Sequence, residues 1–477
     1  MKRQIFCFLT TALISASCQL GPAYQTPEAP IPETWKAAVA EVPETDSKEP
    51  CQLKYWWEVF DDDALNQLEI EALNNNRDLY IAIERVIEAR ALAGVQRADL
   101  FPQVNLNPSY TESEMLIKFF LPPGFPETLA PNGIAPFRVH QYQYVLPLNF
   151  SYEIDLWGKL KGKYNSAVFS AEAQAEALCS TLLSVTTDIA SNYFLMRSYD
   201  EQIILQQQLV EELQKAHRIA TARYEKGIAN TFEVMQSSIQ LLGIESTLLD
   251  NLRLRRLQEN RIAVLLGLPP SEFTLPSNPL SGEPPTIPAG LPASILTQRP
   301  DIREAERQNA SEHALIGVAY ASYLPSLQLT ATVGFLSPDY KDFLKWISRL
   351  WILGANANQT IFDGGRNDEN VDVSWSRFRQ ATNRYQQTVL TALREVEDAL
   401  TNLELQAQQD KILSLQFQAA KSSANLSQSR YKSGLVNYIE VATALQSYID
   451  TEINYVSLKT ARFLSTVQLI KALGGSW

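Results

Sequence analysis

From Tyr144 onward the chain alternates. Tyr144, Leu146, Leu148, Phe150, Tyr152, Ile154 and Leu156 are interleaved with Val145, Pro147, Asn149, Ser151, Glu153 and Asp155. Successive strand side chains point to opposite faces, so one face of this segment is almost wholly apolar and the other mostly polar. The same period returns at Leu327, Leu329, Ala331, Val333 and Phe335, set between Gln328, Thr330, Thr332 and Gly334, and more weakly from Leu353 to Phe362. Such strands suit either a barrel with lipid outside and water inside or the edge of a soluble sandwich.

After each strand pair the period changes. Val168, Ala171, Ala175, Leu178, Leu182, Val185, Ile189, Tyr193 and Met196 step by three and four, as do Val371, Trp375, Phe378, Thr382, Tyr385, Val389, Leu393, Val396, Leu400 and Leu403. Sustained stepping of this kind packs helices as coiled coils. No proline interrupts Asn165 to Lys226 or Asn367 to Ser433, so at ~1.5 Å per residue each run allows on the order of 90 Å of helix. Each ends at Tyr-x-x-Gly, Tyr224 to Gly227 and Tyr431 to Gly434. A glycine there supplies the positive φ of a hairpin-tip turn. A second helix follows, to Leu266 and to Leu473.

The chain is two copies of one unit. Leu100-Phe101-Pro102-Gln103-Val104-Asn105-Leu106 matches Tyr323-Leu324-Pro325-Ser326-Leu327-Gln328-Leu329, and Gly94, Asp78 and Ala82 match Gly317, Asp301 and Ala305. In a shifted register Trp157-Gly158-Lys159 matches Gly364-Gly365-Arg366. Arg223 and Tyr224 match Arg430 and Tyr431, Asn230, Glu233 and Val234 match Asn437, Glu440 and Val441, and Leu266-Gly267 matches Leu473-Gly474. The shift places a longer insertion in the first copy around 107–140, with an exposed, proline-rich tip from Phe119 to Phe137. The expected organisation is a first repeat over 51–267 (helix, hairpin 103–156, long helices 165–267), a Pro-rich linker over 268–292, and a second repeat over 293–477 (helix, hairpin 326–362, long helices 367–474).

Residues 1–17 have the layout of a secretory signal, with Lys2 and Arg3 before an apolar stretch too short to span a bilayer. Ser15-Ala16-Ser17-Cys18 then resembles a bacterial lipobox, although Ser15 stands where Leu is usual. A thiol at Cys18 would take a diacylglycerol and an N-acyl chain, and residues 18–50 would form an extended, lipid-anchored segment. A plain signal with an incidental cysteine is the alternative. No later segment holds eighteen uninterrupted apolar residues, so a membrane crossing must use closed β-structure.

Net charge is −12, which argues against nucleic acid as a partner. The three histidines are isolated, no Cys/His cluster has metal-ligand spacing, and no cofactor is expected. Of four cysteines, Cys7 and Cys18 belong to the signal, leaving Cys51 and Cys179 and no expected disulfide framework. Asp61-Asp62-Asp63 reads as a helix cap, Trp56 and Trp57 as packing residues, Gly364-Gly365-Arg366 as a strand-to-helix turn, and Arg253, Arg255 and Arg256 as a solvated or intersubunit face. No catalytic arrangement is recognisable, so an enzyme is not expected.

Two strands per copy give four per chain, too few to close a membrane barrel. Three chains would give twelve and remove the free edges.

The passages Cys18-x-x-Gly21-Pro22-x-Tyr24, Trp56-Trp57-Glu58-x-Phe60, Arg299-Pro300-Asp301-Ile302-Arg303, Ile361-Phe362-Asp363-Gly364-Gly365-Arg366 and Arg394-Glu395-Val396-Glu397-Asp398-Ala399-Leu400 occur in this order. With them the whole chain resembles the TolC superfamily, specifically the OprM/NodT-type outer-membrane efflux lipoproteins. The resemblance implies a mainly α protein with membrane β-structure. A homotrimer would form a twelve-stranded barrel continued by a long coiled-coil tunnel into the periplasm. It also implies a periplasmic membrane-fusion adaptor and an inner-membrane pump, commonly of the RND type, as partners. In that family the tunnel closes near the hairpin tips. Tyr431 keeps the tyrosine found there, Ile439 stands at an apolar constriction and Glu440 where some members carry an acid; Tyr224 and Glu233 are first-copy counterparts. Thr443 departs from an aspartate ring, and Val436 stands where some members carry a latching arginine. Glu440 would form a ring of three acids at the mouth, or be a solvated helix-face acid. A type I protein-secretion duct and a pore-less periplasmic coiled-coil lipoprotein are the competing functions.

Overall fold

The computed structural model describes residues 20–36, 55–120, 134–290 and 292–475. The expected signal and Cys18 lie outside them. The two copies share three helices of equal length, and the first copy has a further helix before them. Helix α1 (Asp63–Asn75) is followed by α2 (Arg77–Ala98, 22 residues), α3 (Lys159–Glu225, 67 residues) and α4 (Thr231–Leu265, 35 residues). The second copy has α5 (Pro300–Ala321, 22 residues), α6 (Arg366–Lys432, 67 residues) and α7 (Tyr438–Ala472, 35 residues). Both long helices start earlier than the proline-free runs, directly after Gly158 (φ 72°) and Gly365 (φ 88°), which turn the chain out of the strands. Among the described residues no helix is long and apolar enough to cross a membrane.

The chain divides into two compact units. The first holds the described residues up to Gln25, with Ala89–Ala171 and Asn309–Ala381. Its strands are β1 (Gln103–Leu106), β2 (Ser109–Phe120), β3 (Ile134–Ile154), β4 (Ser326–Ser337) and β5 (Arg349–Asn358). All pairs are antiparallel, in the order β1-β3-β4-β5, and β2 also pairs with β3. The first copy therefore has three strand segments where two strands were expected. The cause is Pro108, which has no N–H for the ladder. The register nevertheless continues through it, from Leu106↔Leu148 to Ser109↔Val145, so the sheet has four strand positions. The last strand also differs from the expected span, because β5 ends at Asn358. Ile361 and Phe362 stand beyond it, 89% and 90% exposed. Two glycines lie back to back in this unit. A Cβ on Gly317 would fall 2.3 Å from the Leu20 carbonyl oxygen, so the N-terminal segment crosses α5 at backbone contact. The Tyr24 ring then meets His313, with centroids 5.2 Å apart.

The second unit holds Thr26–Glu88, Glu172–Gln308 and Thr382–Trp477. Its largest core gathers Trp56 and Trp57 with Leu65, Leu68, Val185, Ile189, Tyr193, Ile262 and Phe463. Burying such a side chain fully contributes about 1.5–3 kcal/mol. The Trp56 indole N–H donates to Thr186 Oγ1 at 3.2 Å, and Asp62 caps α1 through the Ala64 and Leu65 amides. Each copy docks the end of its last helix on the start of its 22-residue helix, α2 or α5. In copy one, Asn76 Nδ2 donates to the Leu265 carbonyl at 2.7 Å. In copy two, Arg299 Nη1 donates to the Ala472 carbonyl at 2.9 Å while its Nη2 reaches Asp301 at 2.6 Å and Glu395 at 2.8 Å. The glycine after each helix is required there, since a Cβ on Gly267 would lie 2.5 Å from Asn75 O and one on Gly474 2.7 Å from Gln298 O.

The linker is held by a buried acid. Asp200 accepts from Arg197 (3.2 Å), Arg255 Nε (2.6 Å), Ser277 Oγ (2.9 Å) and the Asn278 amide (3.1 Å). This corrects the reading of the arginine cluster. Arg253 pairs with Asp250 on the surface, but Arg255 is partly buried against Asp200 and also donates to the Leu275 carbonyl at 2.6 Å. Cys179 is disulfide-bonded, against expectation; its partner lies outside the described residues.

Candidate functional site

Two features of the chain bear on function, one in each unit. In the strand-bearing unit the register aligns the alternating residues of neighbouring strands. Ile154 faces Leu327, Tyr152 faces Leu329, Phe150 faces Ala331 and Leu148 faces Val333. Leu327, Leu329, Ala331 and Val333 face Ala357, Ala355, Leu353 and Trp351. One side of the sheet is thus continuously apolar. The other carries Asn105, Asn149, Ser151, Gln328, Thr330, Thr332 and Asn356. From Tyr144 to Ile154 the apolar face runs about 34 Å along the strand at ~3.4 Å per residue. Tilted by about 40°, it would stand about 26 Å tall, which matches the apolar band of outer-membrane barrels. Aromatics mark its upper limit. Tyr110 packs against Tyr144 at 5.0 Å, and Tyr144 against Phe343 at 5.9 Å. Beyond that row β2 and β3 continue as a hairpin carrying Glu114, Arg138 and His140, with Arg138 and Glu114 3.1 Å apart.

In the helical unit the hairpin tips come together. Each turn closes identically. Gly227 N–H donates to Tyr224 O and Ile228 N–H to Arg223 O, both at 2.9 Å; Gly434 and Leu435 repeat this on Tyr431 and Arg430. Both glycines have positive φ, 71° and 74°. Asn230 and Asn437 then cap the next helices through the amides of Glu233 and Glu440, which places both acids in the first helical turn where the dipole favours them. The repeated Asn-x-x-Glu is thus a capping pattern in both copies.

The copies differ in what the tyrosine and acid touch. Tyr431 is buried, and its hydroxyl donates to Glu233 of the other copy at 3.1 Å. The Arg223 guanidinium lies over the Tyr431 ring, 4.7 Å from its centroid. Tyr438 packs edge-on to Tyr431 at 5.6 Å and donates to Gln240 Oε1 at 3.0 Å, while Gln240 Nε2 donates to the Ala442 carbonyl at 2.9 Å. Burial pushes the Tyr438 phenol up to about 12, and burial with the nearby Glu233 charge raises that of Tyr431, so both stay protonated donors. Tyr224, the first-copy counterpart, is 47% exposed.

Glu440 has a neighbour that the sequence did not reveal. Arg430 Nη1 lies 3.2 Å from its carboxylate, and both side chains are about half exposed. Three such acids would arrive with three arginines. Cationic partners are therefore present despite Val436, supplied by Arg223 and Arg430. The identity of these arginines was readable as a repeat, Arg-Tyr-x-x-Gly; their contacts across the turn and between copies were not. Ile439 is 51% exposed, one helical turn before Thr443, whose hydroxyl bonds back to the Ile439 carbonyl at 2.9 Å. Both line a concavity of ≈ 920 Å³ between α4 and α7. Among the described residues no group of His, Cys, Asp and Glu could hold a metal ion.

Comparison with known proteins agrees with this architecture. The toluene efflux pump outer membrane protein TtgC of Pseudomonas putida is 29% identical over 483 residues, covering 100% of this chain and 96% of the relative. The solvent efflux pump outer membrane protein SrpC of Pseudomonas putida is 31% identical, covering 98% of this chain and 97% of the relative. The crystal structure of the Campylobacter jejuni CmeC outer membrane channel superposes with a TM-score of 0.86 at 26% identity over 96% of this chain and 95% of that one. The expected fold class, helical coiled coil with membrane β-structure, is the one such channels have, and the outer membrane is where the chain resides. The sequence pattern of the family described as outer membrane efflux protein matches residues 70–268 and 291–475, one stretch in each repeat, and the chain belongs to that family.

Proposed function

We propose that three copies of this chain close a twelve-stranded barrel and form the passive exit duct of a tripartite efflux system. Small molecules would reach it from a periplasmic adaptor and an inner-membrane pump, of the RND type in this reading. The duct catalyses no reaction, and energy for transport comes from the pump. The observation that carries this is the sheet. It has a continuous apolar face of membrane height, a polar opposite face, and two open edges, β5 and the β1–β2 strand. Lipid offers no hydrogen bonds to such edges, so further copies must cover them. The names of TtgC and SrpC, toluene and solvent pumps, favour small molecules over a secreted protein.

In the same reading the tips form a closed mouth. Tyr431–Glu233 and Tyr438–Gln240 tie the second hairpin to the first, and Ile439 narrows the passage beneath them. Cys18 carries the lipid anchor in this reading, on the strength of its lipobox-like setting. The test is conductance of the purified protein in planar bilayers. Wild type should give a small conductance that rises severalfold in Tyr431→Phe/Glu233→Gln. An unchanged conductance would reject the latch; failure to form any pore would reject the duct. Glu440→Gln should shift selectivity away from cations, because it leaves Arg430 without its acid, whereas Glu440→Gln/Arg430→Gln should leave it nearly unchanged.

A further inference from the structure

The loop between β4 and β5, residues 338–348, lies at the end of the sheet opposite the strand ends that lead into helices α3 and α6. It is tied internally. Ser337 Oγ donates to the Asp339 carbonyl at 2.7 Å, the Lys341 amide to Asp339 Oδ1 at 3.0 Å, and Ser348 Oγ to the Asp342 carbonyl at 2.7 Å. Lys345 Nζ pairs with Asp342 at 2.6 Å. A loop so constrained would be expected to tuck its apolar side chains inward. Instead Tyr340, Leu344, Trp346 and Ile347 are 67%, 66%, 75% and 81% exposed.

This patch continues the outward face of the sheet. Arg349 and Trp351 follow on the same side of β5, opposite Phe335 and Val333, and Trp351 and Leu353 are 69% and 72% exposed. The charges are also arranged. The Asp342 carboxylate is taken by Lys345 and that of Asp339 caps the loop's own backbone. Neither Lys341 nor Arg349 is ion-paired among the described residues. The Arg349 guanidinium lies over the Trp346 ring at 5.0 Å, fixed by one bond from Nη1 to the Trp346 carbonyl at 3.1 Å. Its remaining N–H groups stay available as a planar donor fork, the geometry that suits a phosphate. An indole beside a cation at the margin of an apolar wall is the arrangement of a membrane interface, with the ring among acyl carbonyls and the cation at headgroup level.

We propose that this loop is a lipid foot: Trp346 and Ile347 insert at the outer-leaflet surface and Arg349, with Lys341, binds the phosphate of a lipid headgroup there. The proposal rests on reading the sheet as a membrane wall. Continuity with Trp351 and Leu353 favours lipid over a second copy as the occupant.

The test uses the full-length protein in nanodiscs of phosphatidylglycerol with brominated acyl chains, which quench nearby indoles. Emission specific to Trp346 is the difference between wild type and Trp346→Phe, and that specific to Trp351 the difference from Trp351→Phe. Both should be quenched. In detergent, titration with short-chain phosphatidylglycerol should shift Trp346-specific emission to the blue. Arg349→Gln should require about tenfold more of it, the loss of one charge-assisted contact. Quenching at Trp351 without quenching at Trp346 overturns the foot and leaves the wall intact; quenching at neither overturns both. An equal blue shift with a phosphate-free galactolipid, or a shift produced by inorganic phosphate alone, overturns the headgroup assignment. Loss of the trimer in Trp346→Phe with no quenching in wild type assigns the patch to a neighbouring copy instead.

Discussion

Glu69 sits on the inward face of α1 beside Leu65, Leu68 and Ala72, completely buried, with neither oxygen hydrogen-bonded. Desolvation holds its pKa well above the ordinary carboxylate range. The folded protein therefore keeps this proton more tightly than the unfolded chain does. Below the unfolded pKa, about 4.3, both states are protonated and no stability is lost. As pH rises from there toward the raised folded pKa, only the unfolded state ionises and stability falls. Replacing Glu69 by Leu should remove this, raising stability at pH 7 by about 1–3 kcal/mol, with a smaller gain at pH 4. Thermal unfolding followed by circular dichroism at the two pH values measures it; a variant that is less stable at pH 7 would show that the carboxyl has an indispensable partner. Arg299 is the opposite case. Burial alone would lower its pKa, but bonds to Asp301 and Glu395 outweigh that and hold it raised. Sequence alone marked Arg299 as part of a motif and passed over Glu69, because an acid on the inner face of a helix has no local signature.

At the scale of elements, glycines of identical φ do different work. Gly227 turns a tip in open space, whereas Gly267 presses on the Asn75 carbonyl. Gly227→Ala should cost about 1–2 kcal/mol, the left-handed penalty alone. Gly267→Ala should cost more, since the backbone it meets must move as well. Urea titration of both variants separates the cases, and equal losses would contradict the docking account. The linker gives a second comparison. Asp200→Asn leaves Arg197 buried without its charge partner and Arg255 with Glu259 alone, so a loss of about 3–5 kcal/mol is expected. A glutamate-specific protease should then cut faster at Glu283 within the linker; an unchanged rate would mean that the prolines alone hold it. Helix lengths and turns were legible from period and glycine, while the latching of the linker was not, because Asp200 and Ser277 are far apart in sequence.

For the whole molecule the decisive quantity is unpaired sheet edge. Among the described residues four strand positions leave β5 and the β1–β2 strand each with one open edge. Unboiled protein in SDS should migrate as a trimer and boiled protein as a monomer; a monomer without heating would undo the barrel. Cys179 adds an oxidised cross-link, which fits a compartment outside the cytoplasm. If Cys7 leaves with a signal and Cys18 takes the acyl chain, as the sequence leads one to expect, Cys51 is the thiol left to it. The Trp56–Thr186 bond brings the chain to α3 two turns from Cys179, within reach of the four residues that separate Cys51 from Trp56. Non-reducing peptide mapping should recover a Cys51–Cys179 pair, and a Cys179 peptide alkylated without reduction would refute it.

Periodicity by itself determined that strands, long helices and tip turns recur twice, and that the strands have one lipid-compatible face, because these follow from local spacing of side chains along a regular backbone. The closing of contacts between copies was decided only in three dimensions. Tyr431 could choose Glu233 or Glu440, and Glu440 could stand alone or meet Arg430; the chemistry of each residue permits both. Packing chose by burying one tyrosine of an equivalent pair and leaving Tyr224 outside, since two sequence-equivalent hairpins laid against each other need not have equivalent surroundings.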